Sequence, residues 1–419
     1  MEKDIKKQLE IIKRGTAEII SEGELKAKLE YSLKTKKPLI VKAGFDPTAP
    51  DIHIGHTVLL RKLRHFQELG HKVIFLIGDA TALVGDPSGQ SQTRKTLTWE
   101  EVEKNAITYE EQVGKILNTK DKNLFERKHN SEWFSRHGRK EKNSHPFAFE
   151  QFVELAQRYT VARILERDDF KKRLKENKPI SFLELFYPLM QGYDSVELKV
   201  DVEIGGTDQK FNMLVGRDLQ EAYGQKPQIV ITMPLLEGLD GINKMSKSYG
   251  NYIGINEPPR EIFGKIMSVS DELMYKYYEL LTDENLEKVK KMHPMEAKKN
   301  LASEIVYQYY SKKEASEAQI DFEKKFQERD PFTGVIPRDI PIDLTANSEE
   351  GLLLSNILCS PQILNLVKSK SDFRRLVEQG AIVVNGQKVT NSQYCLEPNK
   401  EYCIKVGKTR FSKIIIRIK

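Results

Sequence analysis

The feature that most limits how this chain can fold is a pair of short apolar runs with an amphipathic stretch between them. "PLIVKAGF" (38–45) and "HKVIFLIGD" (71–79) are bounded by Pro, Gly and Asp, the pattern of strands buried in a parallel sheet. From Thr57 to Leu69 apolar residues recur at helical spacing. Two strands joined by a helix predict a β-α-β unit. In open α/β sheets ligands collect at the carboxyl ends of strands, beside helix amino termini. The loop within "PTAPDIHIGHTVLL" (47–60) therefore sits at a binding position before any motif is considered.

Beyond this unit, "ELKVDVEIGGTDQ" and "PQIVITMPLL" restore the strand pattern. The expected architecture is α/β: a Rossmann-like parallel nucleotide-binding sheet over residues 1–239, opened by a helical arm over 1–37. Residues from about 120 to 180, rich in charge and aromatics, predict a helical insertion. A Gly-flanked loop follows at 240–257, then an all-helical, highly charged domain at 258–330. "PFTGVIPRDIPIDLTANSEEG", with its prolines and weak periodicity, marks a linker at 331–350. Residues 351–419 predict a small α+β domain with strand-like "AIVVNG" and "KIIIRIK".

Charge is distributed unevenly. Residues 351–419 hold 12 Lys or Arg against 4 Asp or Glu, while the other 350 residues hold 55 against 57. A basic module of this kind points to a polyanion such as RNA or DNA, or else to a basic surface kept for solubility. Cys359, Cys395 and Cys403 show no CxxC spacing and read as reduced thiols of a cytosolic protein. No apolar run approaches the length of a membrane span, and "MEKDIKKQLEIIKRG" lacks a signal-peptide core. A cytoplasmic protein with no membrane association is expected.

Three groups of residues carry chemistry. His53 and His56 flank Gly55 at a helix start, where backbone N–H groups and imidazole donors suit phosphate oxygens. Gly55 would let a ligand approach the backbone. A zinc pair is the alternative, though no HExxH and no nearby cysteine supports it. Lys244-Met245-Ser246-Lys247-Ser248 places two ammonium groups and two hydroxyls in a loop that can close on a polyphosphate. By itself it could equally be a solvated surface loop. Tyr187, Gln191 and Asp194 fall at i, i+4 and i+7, a polar stripe on an apolar helix. Such a stripe needs a partner, either a bound ligand or an internal network.

"HIGH" followed about 190 residues later by "KMSKS" resembles the paired signatures of class I aminoacyl-tRNA synthetases. "GFDPTAPDIHIGH", "GDPSGQSQTR", "YPLMQGYD" and "IGGTDQ" are similar to the bacterial tyrosyl-tRNA synthetase family. The tail "SDFRRLVEQGAIVVNGQKV" resembles a small RNA-binding domain shared with a ribosomal protein and pseudouridine synthases. The resemblance implies attack of the L-tyrosine carboxylate on the α-phosphate of ATP, with Mg²⁺ accompanying ATP and no tightly bound cofactor. Transfer to tRNA(Tyr) and a homodimeric state are implied with it. His53, His56, Thr48, Lys244 and Lys247 would act on the reacting phosphates; Gly55, Gly206, Asp208 and Ser248, with Lys247, would hold ATP. Asp46, Thr81, Asp86, Tyr187, Gln191, Asp194 and Gln209 would hold tyrosine, Asp194 accepting from its phenol. No dedicated metal site is implied.

Two positions depart from the best-known members. Lys42 stands where they carry a tyrosine, and Gln90 where they carry a lysine, although Arg94 is retained. Lys42 is expected to pair with Asp79 or another carboxylate. Competing readings are a tryptophanyl-tRNA synthetase, a small HxGH nucleotidyltransferase, or a non-enzymatic RNA-binding protein.

Overall fold

A computed structural model of the chain describes residues 2–88, 97–134, 149–326, 337–342, 352–407 and 410–418. Gln90 and Arg94 lie outside the described residues, as does most of the expected linker. Two units are distinguished, Met1–Ala315 and Ser316–Lys419.

The first unit begins with α1 (Glu2–Lys13), β1 (Glu18–Ile20) and α2 (Glu22–Thr35). The expected β-α-β unit follows as β2 (Ile40–Phe45), α3 (Ile54–Glu68) and β3 (Lys72–Ile77), with β2 and β3 parallel and Phe45 opposite Ile77. Then come α4 (Asp79–Val84), α5 (Trp99–Val113), β4 (Phe125–His129) and α6 (Ser131–Phe134). The short helices α7 (Phe149–Ala156), α8 (Val161–Ile164) and α9 (Asp168–Lys175) lead to α10 (Phe182–Leu198). β5 (Val202–Gly206), α11 (Lys210–Ala222) and β6 (Ile229–Met233) complete the α/β part.

The strands line up as β1-β6-β5-β2-β3-β4, all parallel except β1. Every residue of β5 and β6 is buried, as expected for a sheet covered on both faces. Both edges depart from expectation. The amino-terminal arm is helical only in part, because Glu18–Ile20 pairs antiparallel with Val230–Thr232. Residues 125–129 were expected in the helical insertion but form edge strand β4 beside β3. "FERKH" is too charged to read as a buried strand. An edge strand has one neighbour and leaves such side chains in solvent, where Glu126 meets Lys72 at 2.6 Å.

α12 (Pro259–Met267), α13 (Asp271–Leu281), α14 (Leu286–Val289) and α15 (Pro294–Tyr309) follow the sheet. They pack partly on α3: the Tyr309 hydroxyl donates to Thr57 Oγ1 at 3.1 Å, and Arg61 meets Asp283 at 2.9 Å. α16 (Lys312–Phe326) runs across the division between the units.

The second unit contains β7 (Arg338–Ile342), α17 (Leu354–Cys359), α18 (Lys370–Glu378), β8 (Ile382–Val384), β9 (Gln387–Lys388), β10 (Glu401–Val406) and β11 (Arg410–Ile418). Its sheet runs β7-β11-β10-β8-β9. Here the linker reading is corrected in part. Residues 338–342 form a strand parallel to β11, and the Ile340 side chain joins Leu358, Phe373, Ile404 and Ile416 in the core. Pro341, which obscured the strand in the sequence, is tolerated because β7 is an edge. Among the described residues no helix is long and apolar enough to cross a membrane.

Ile340→Ala is expected to cost this small core about 2–4 kcal/mol. Hydrogen exchange should report it as faster exchange along Ile414–Ile418, whereas Pro341→Ala should leave that protection unchanged.

Candidate active site

The carboxyl ends of β2, β3, β5 and β6, with the loops that follow them, enclose a cavity of about 690 Å³. All the candidate residues named from the sequence line this one cavity, from Asp46 and Thr48 to Lys247 and Ser248.

One wall is the start of α3. The helix begins at Ile54, three residues earlier than its periodicity indicated, and His53 is its N-cap. The His53 backbone N–H donates to His56 Nδ1 at 3.3 Å, and the two rings stack with centroids 3.8 Å apart. A Cβ on Gly55 would lie 2.9 Å from His53 Nδ1, so the missing side chain makes room for that ring as well as for a ligand. Burial, with His56 and the lysines adding to it, pushes the His53 imidazole down to about 2. Burial and the charges of Lys247 and Lys244 push His56 down to about 4. Both rings are therefore neutral at pH 7 and able to donate N–H bonds. The buried Nδ1 of His53 has no hydrogen-bond partner among the described residues. As for the zinc alternative, no group of three His, Cys, Asp or Glu suited to a metal occurs among the described residues.

The lysine loop forms the opposite wall. Residues so distant in sequence meet because the chain before α3 pairs with the segment after the loop. Ile54 N donates to Ile253 O at 2.9 Å and Ile255 N to Ile52 O at 3.1 Å. Within the loop, Asn251 Oδ1 accepts from Ser246 N at 2.8 Å, and its amide donates to Asp240 Oδ2 at 3.1 Å. Lys244 lies 3.4 Å from Asp208 and Lys247 lies 3.2 Å from Asp51. These are exposed or half-buried pairs of small net strength, so an incoming polyanion can compete for both ammonium groups.

At the far end, Asp46 accepts from Thr81 Oγ1 at 2.8 Å and from the Tyr187 hydroxyl at 2.9 Å. Only a glycine at position 78 permits this contact, since a Cβ there would lie 2.1 Å from Asp46 Oδ1. Gln191 Oε1 accepts from Asn212 Nδ2 at 3.0 Å, Asn212 also donates to Gln209 Oε1 at 3.1 Å, and Gln209 donates to Asp86 at 2.7 Å. Asp194 accepts from Trp133 Nε1 at 3.0 Å and from Asn130 Nδ2 at 3.4 Å. Burial pushes its carboxyl up to about 8, with the Lys42 charge and these two donors opposing. The polar stripe thus has internal partners and also faces the cavity.

Lys42 does not pair with Asp79. Its ammonium lies 2.9 Å from Glu203 and donates to Ser195 Oγ at 2.8 Å. Lys42 and Glu203 are register partners in β2 and β5, so their side chains leave the sheet on the same face. Asp79 sits beyond the end of β3 and is held by His129 at 2.9 Å and the Ser131 hydroxyl at 2.7 Å. Glu203, Asn130, Trp133 and Asn212 were not anticipated. A glutamate inside apolar "VDVEIGG" was the one available signal, because a buried carboxylate demands a partner.

Residues 34–327 match the family described as tRNA synthetases class I (W and Y), and residues 362–401 match the S4 domain. The chain belongs to this synthetase family. Among similar proteins, "Tyrosine--tRNA ligase" of Carboxydothermus hydrogenoformans is 52% identical, with 98% of each chain covered. The protein of the same name from Geobacter metallireducens is 53% identical, over 99% of this chain and all of its own. The solved tyrosyl-tRNA synthetase of Archaeoglobus fulgidus in complex with L-tyrosine shares the fold, with TM-score 0.57, 23% identity and coverage of 75% of this chain and 99% of its own. The Coccidioides posadasii mitochondrial enzyme gives TM-score 0.59 at 22% identity, covering 76% and 91%. The chain is accordingly an aminoacyl-tRNA synthetase, a ligase of a family that uses ATP for activation.

The histidine walls carry a pH dependence. In the unfolded chain each imidazole takes up a proton near pH 6.5; in the fold this waits until about 4 for His56 and about 2 for His53. The stability they contribute is complete above pH 6.5 and declines as pH falls through the acid range. A His53→Asn/His56→Asn variant should therefore lose less Tm between pH 7 and pH 4.5 than the parent, measured by thermal unfolding.

Proposed function

We propose that this synthetase activates L-tyrosine with ATP, forming tyrosyl-adenylate and pyrophosphate, and then transfers tyrosine to the 3′ end of tRNA(Tyr). The observation that carries the reading is the polarity of this cavity. One end has two neutral histidines opposite two lysines, and the other ends on a buried carboxylate, Asp194, behind Tyr187 and Gln191.

The tyrosine carboxylate is ionised at neutral pH and needs no general base. It attacks the α-phosphorus; the new O–P bond forms as the bond to the bridging oxygen breaks, and that oxygen leaves with pyrophosphate. The protein supplies alignment and charge stabilisation. His53 and His56 donate to the phosphate whose charge grows, with Thr48 and the Gly55 backbone alongside. Lys244 and Lys247 leave Asp208 and Asp51 to neutralise the departing pyrophosphate, and Gly206, Asp208 and Ser248 border the nucleotide. In the second step the terminal tRNA hydroxyl attacks the acyl carbon and AMP leaves. Mg²⁺ would arrive on the triphosphate as its counter-ion.

Asp46, Thr81, Asp86, Tyr187, Gln191 and Gln209 surround the substrate ammonium and backbone, and Asp194 accepts from the phenol. Phenylalanine cannot give that carboxyl this further bond, and discrimination follows. Tryptophan offers no hydroxyl at this depth, which favours tyrosine within a family that spans both. The S4 match and the basic tail support tRNA binding. Phe149, Val153, Val161, Phe182 and Leu183 expose apolar surface around the insertion, and this favours a homodimer formed there. The setting for such chemistry is the cytoplasm.

Pyrophosphate exchange into ATP should depend on tyrosine and not on tryptophan; exchange driven by tryptophan would overturn the specificity. In the same assay His53→Ala or His56→Ala should lower the activation rate roughly 10²–10³-fold, with tyrosine affinity little changed. A chain ending at Asp330 should still form adenylate but charge tRNA poorly, read by aminoacylation of tRNA(Tyr).

A further inference from the structure

Beneath the amino-acid end of the cavity, Lys42 is fully buried and Glu203 is 2% exposed. The Lys42 ammonium is 2.9 Å from Glu203 Oε1, an oxygen that also accepts from Gln191 Nε2 at 3.3 Å. Glu203 Oε2 accepts from Ser195 Oγ at 3.2 Å and from the Gln228 amide. The carboxylate is thus fully bonded, and the pair is tied to the residue that follows Asp194 and to Gln191 on the same helix. Burying two charges costs heavy desolvation, and well-packed apolar residues would serve stability as well. The arrangement needs another reason.

Two consequences reach the cavity. Glu203 takes the Nε2 of Gln191, so the Gln191 amide must turn its Oε1 toward Asn212. That orientation continues through Gln209 to Asp86. The groups facing Asp194 are Lys42 from β2, Glu203 from β5, Asn130 and Trp133 after β4, and Tyr187 on its own helix. Among them Lys42 is the strongest influence favouring the ionised form against burial, and it outweighs the opposing effect of Glu203. Lys42 itself does not line the cavity.

We infer that the Lys42–Glu203 pair is a positioning device for the amino-acid subsite: it fixes the Gln191 amide in one orientation and sets a compensating positive charge behind Asp194, so the pocket selects a phenol over a phenyl ring. This rests on the tyrosine reading above. The roles are positioning ones, since neither effect requires Lys42 to touch the substrate.

The test compares the full chain with K42M and K42M/E203Q in tyrosine- and phenylalanine-dependent pyrophosphate exchange across pH, with Tm recorded for each. K42M should raise the tyrosine KM about tenfold or more while the ATP KM stays within about twofold. Its acid limb for tyrosine kcat/KM should move to higher pH, because Asp194 loses an opposing charge and keeps the Glu203 carboxylate nearby. K42M/E203Q removes the unpaired buried charge and should recover the parent Tm. Its acid limb should stay displaced, by less than in K42M, and its preference for tyrosine over phenylalanine should remain reduced. A double variant with the parent limb and the parent preference would overturn the inference, even if K42M alone failed to fold. So would a K42M with unchanged tyrosine KM. The unmodified chain separates the two levels: absence of its tyrosine-dependent exchange would sink the function itself, whereas normal exchange leaves the variants to judge the pair.

Discussion

Parallel pairing of β2 with β3 on one side and β5 on the other is the constraint on which the rest of the site depends. Parallel strands present their carboxyl ends together, and each must turn into a crossover at the same edge of the sheet. That edge gathers the Asp46–His56 loop, the Gly78–Asp86 segment, "GGTDQ" after β5 and the lysine loop after β6. Residues separated by some 190 positions become neighbours because their strands share one sheet. The pairing of Ile52 and Ile54 with the segment at Ile253–Ile255 then sets the distance between the histidine wall and the lysine wall.

Electrostatics divide the cavity into two ends. At the start of α3 the histidines are kept uncharged by burial and by the lysines, so positive charge is carried by the lysine loop while the facing wall offers neutral donors. At the other end lies the deep Asp194 carboxyl, pushed up by burial and opposed from behind by the charge of Lys42. In the proposed reaction the substrate lies along this axis, its carboxylate toward the lysines and its hydroxyl toward Asp194.

What was legible in the sequence follows from which signals are local. β2, α3, β3, β5 and β6 could be read because burial on both faces demands continuous apolar runs. His53, His56, Lys244 and Lys247 could be singled out because loops at strand ends carry ligands. The edge strands β1, β4 and β7 escaped notice. An edge strand can be charged, as in "FERKH", or can contain Pro341, because one side of it is free of the hydrogen-bond ladder. The polar stripe on α10 was visible from its helical spacing, but its partners Trp133, Asn130 and Asn212 come from other elements.

The sequence by itself determined the β-α-β arrangement of the binding edge, the residue types of the histidine and lysine walls and the basic character of the tail. Those properties depend on local periodicity and composition. Only the tertiary structure decided that Lys42 pairs with Glu203 and not Asp79, because that outcome is set by register between two strands distant in sequence. It also decided that Gly55 accommodates a folded-back imidazole and that Gly78 accommodates a carboxylate. Such close approaches belong to side chains converging in space, and sequence spacing carries no record of them.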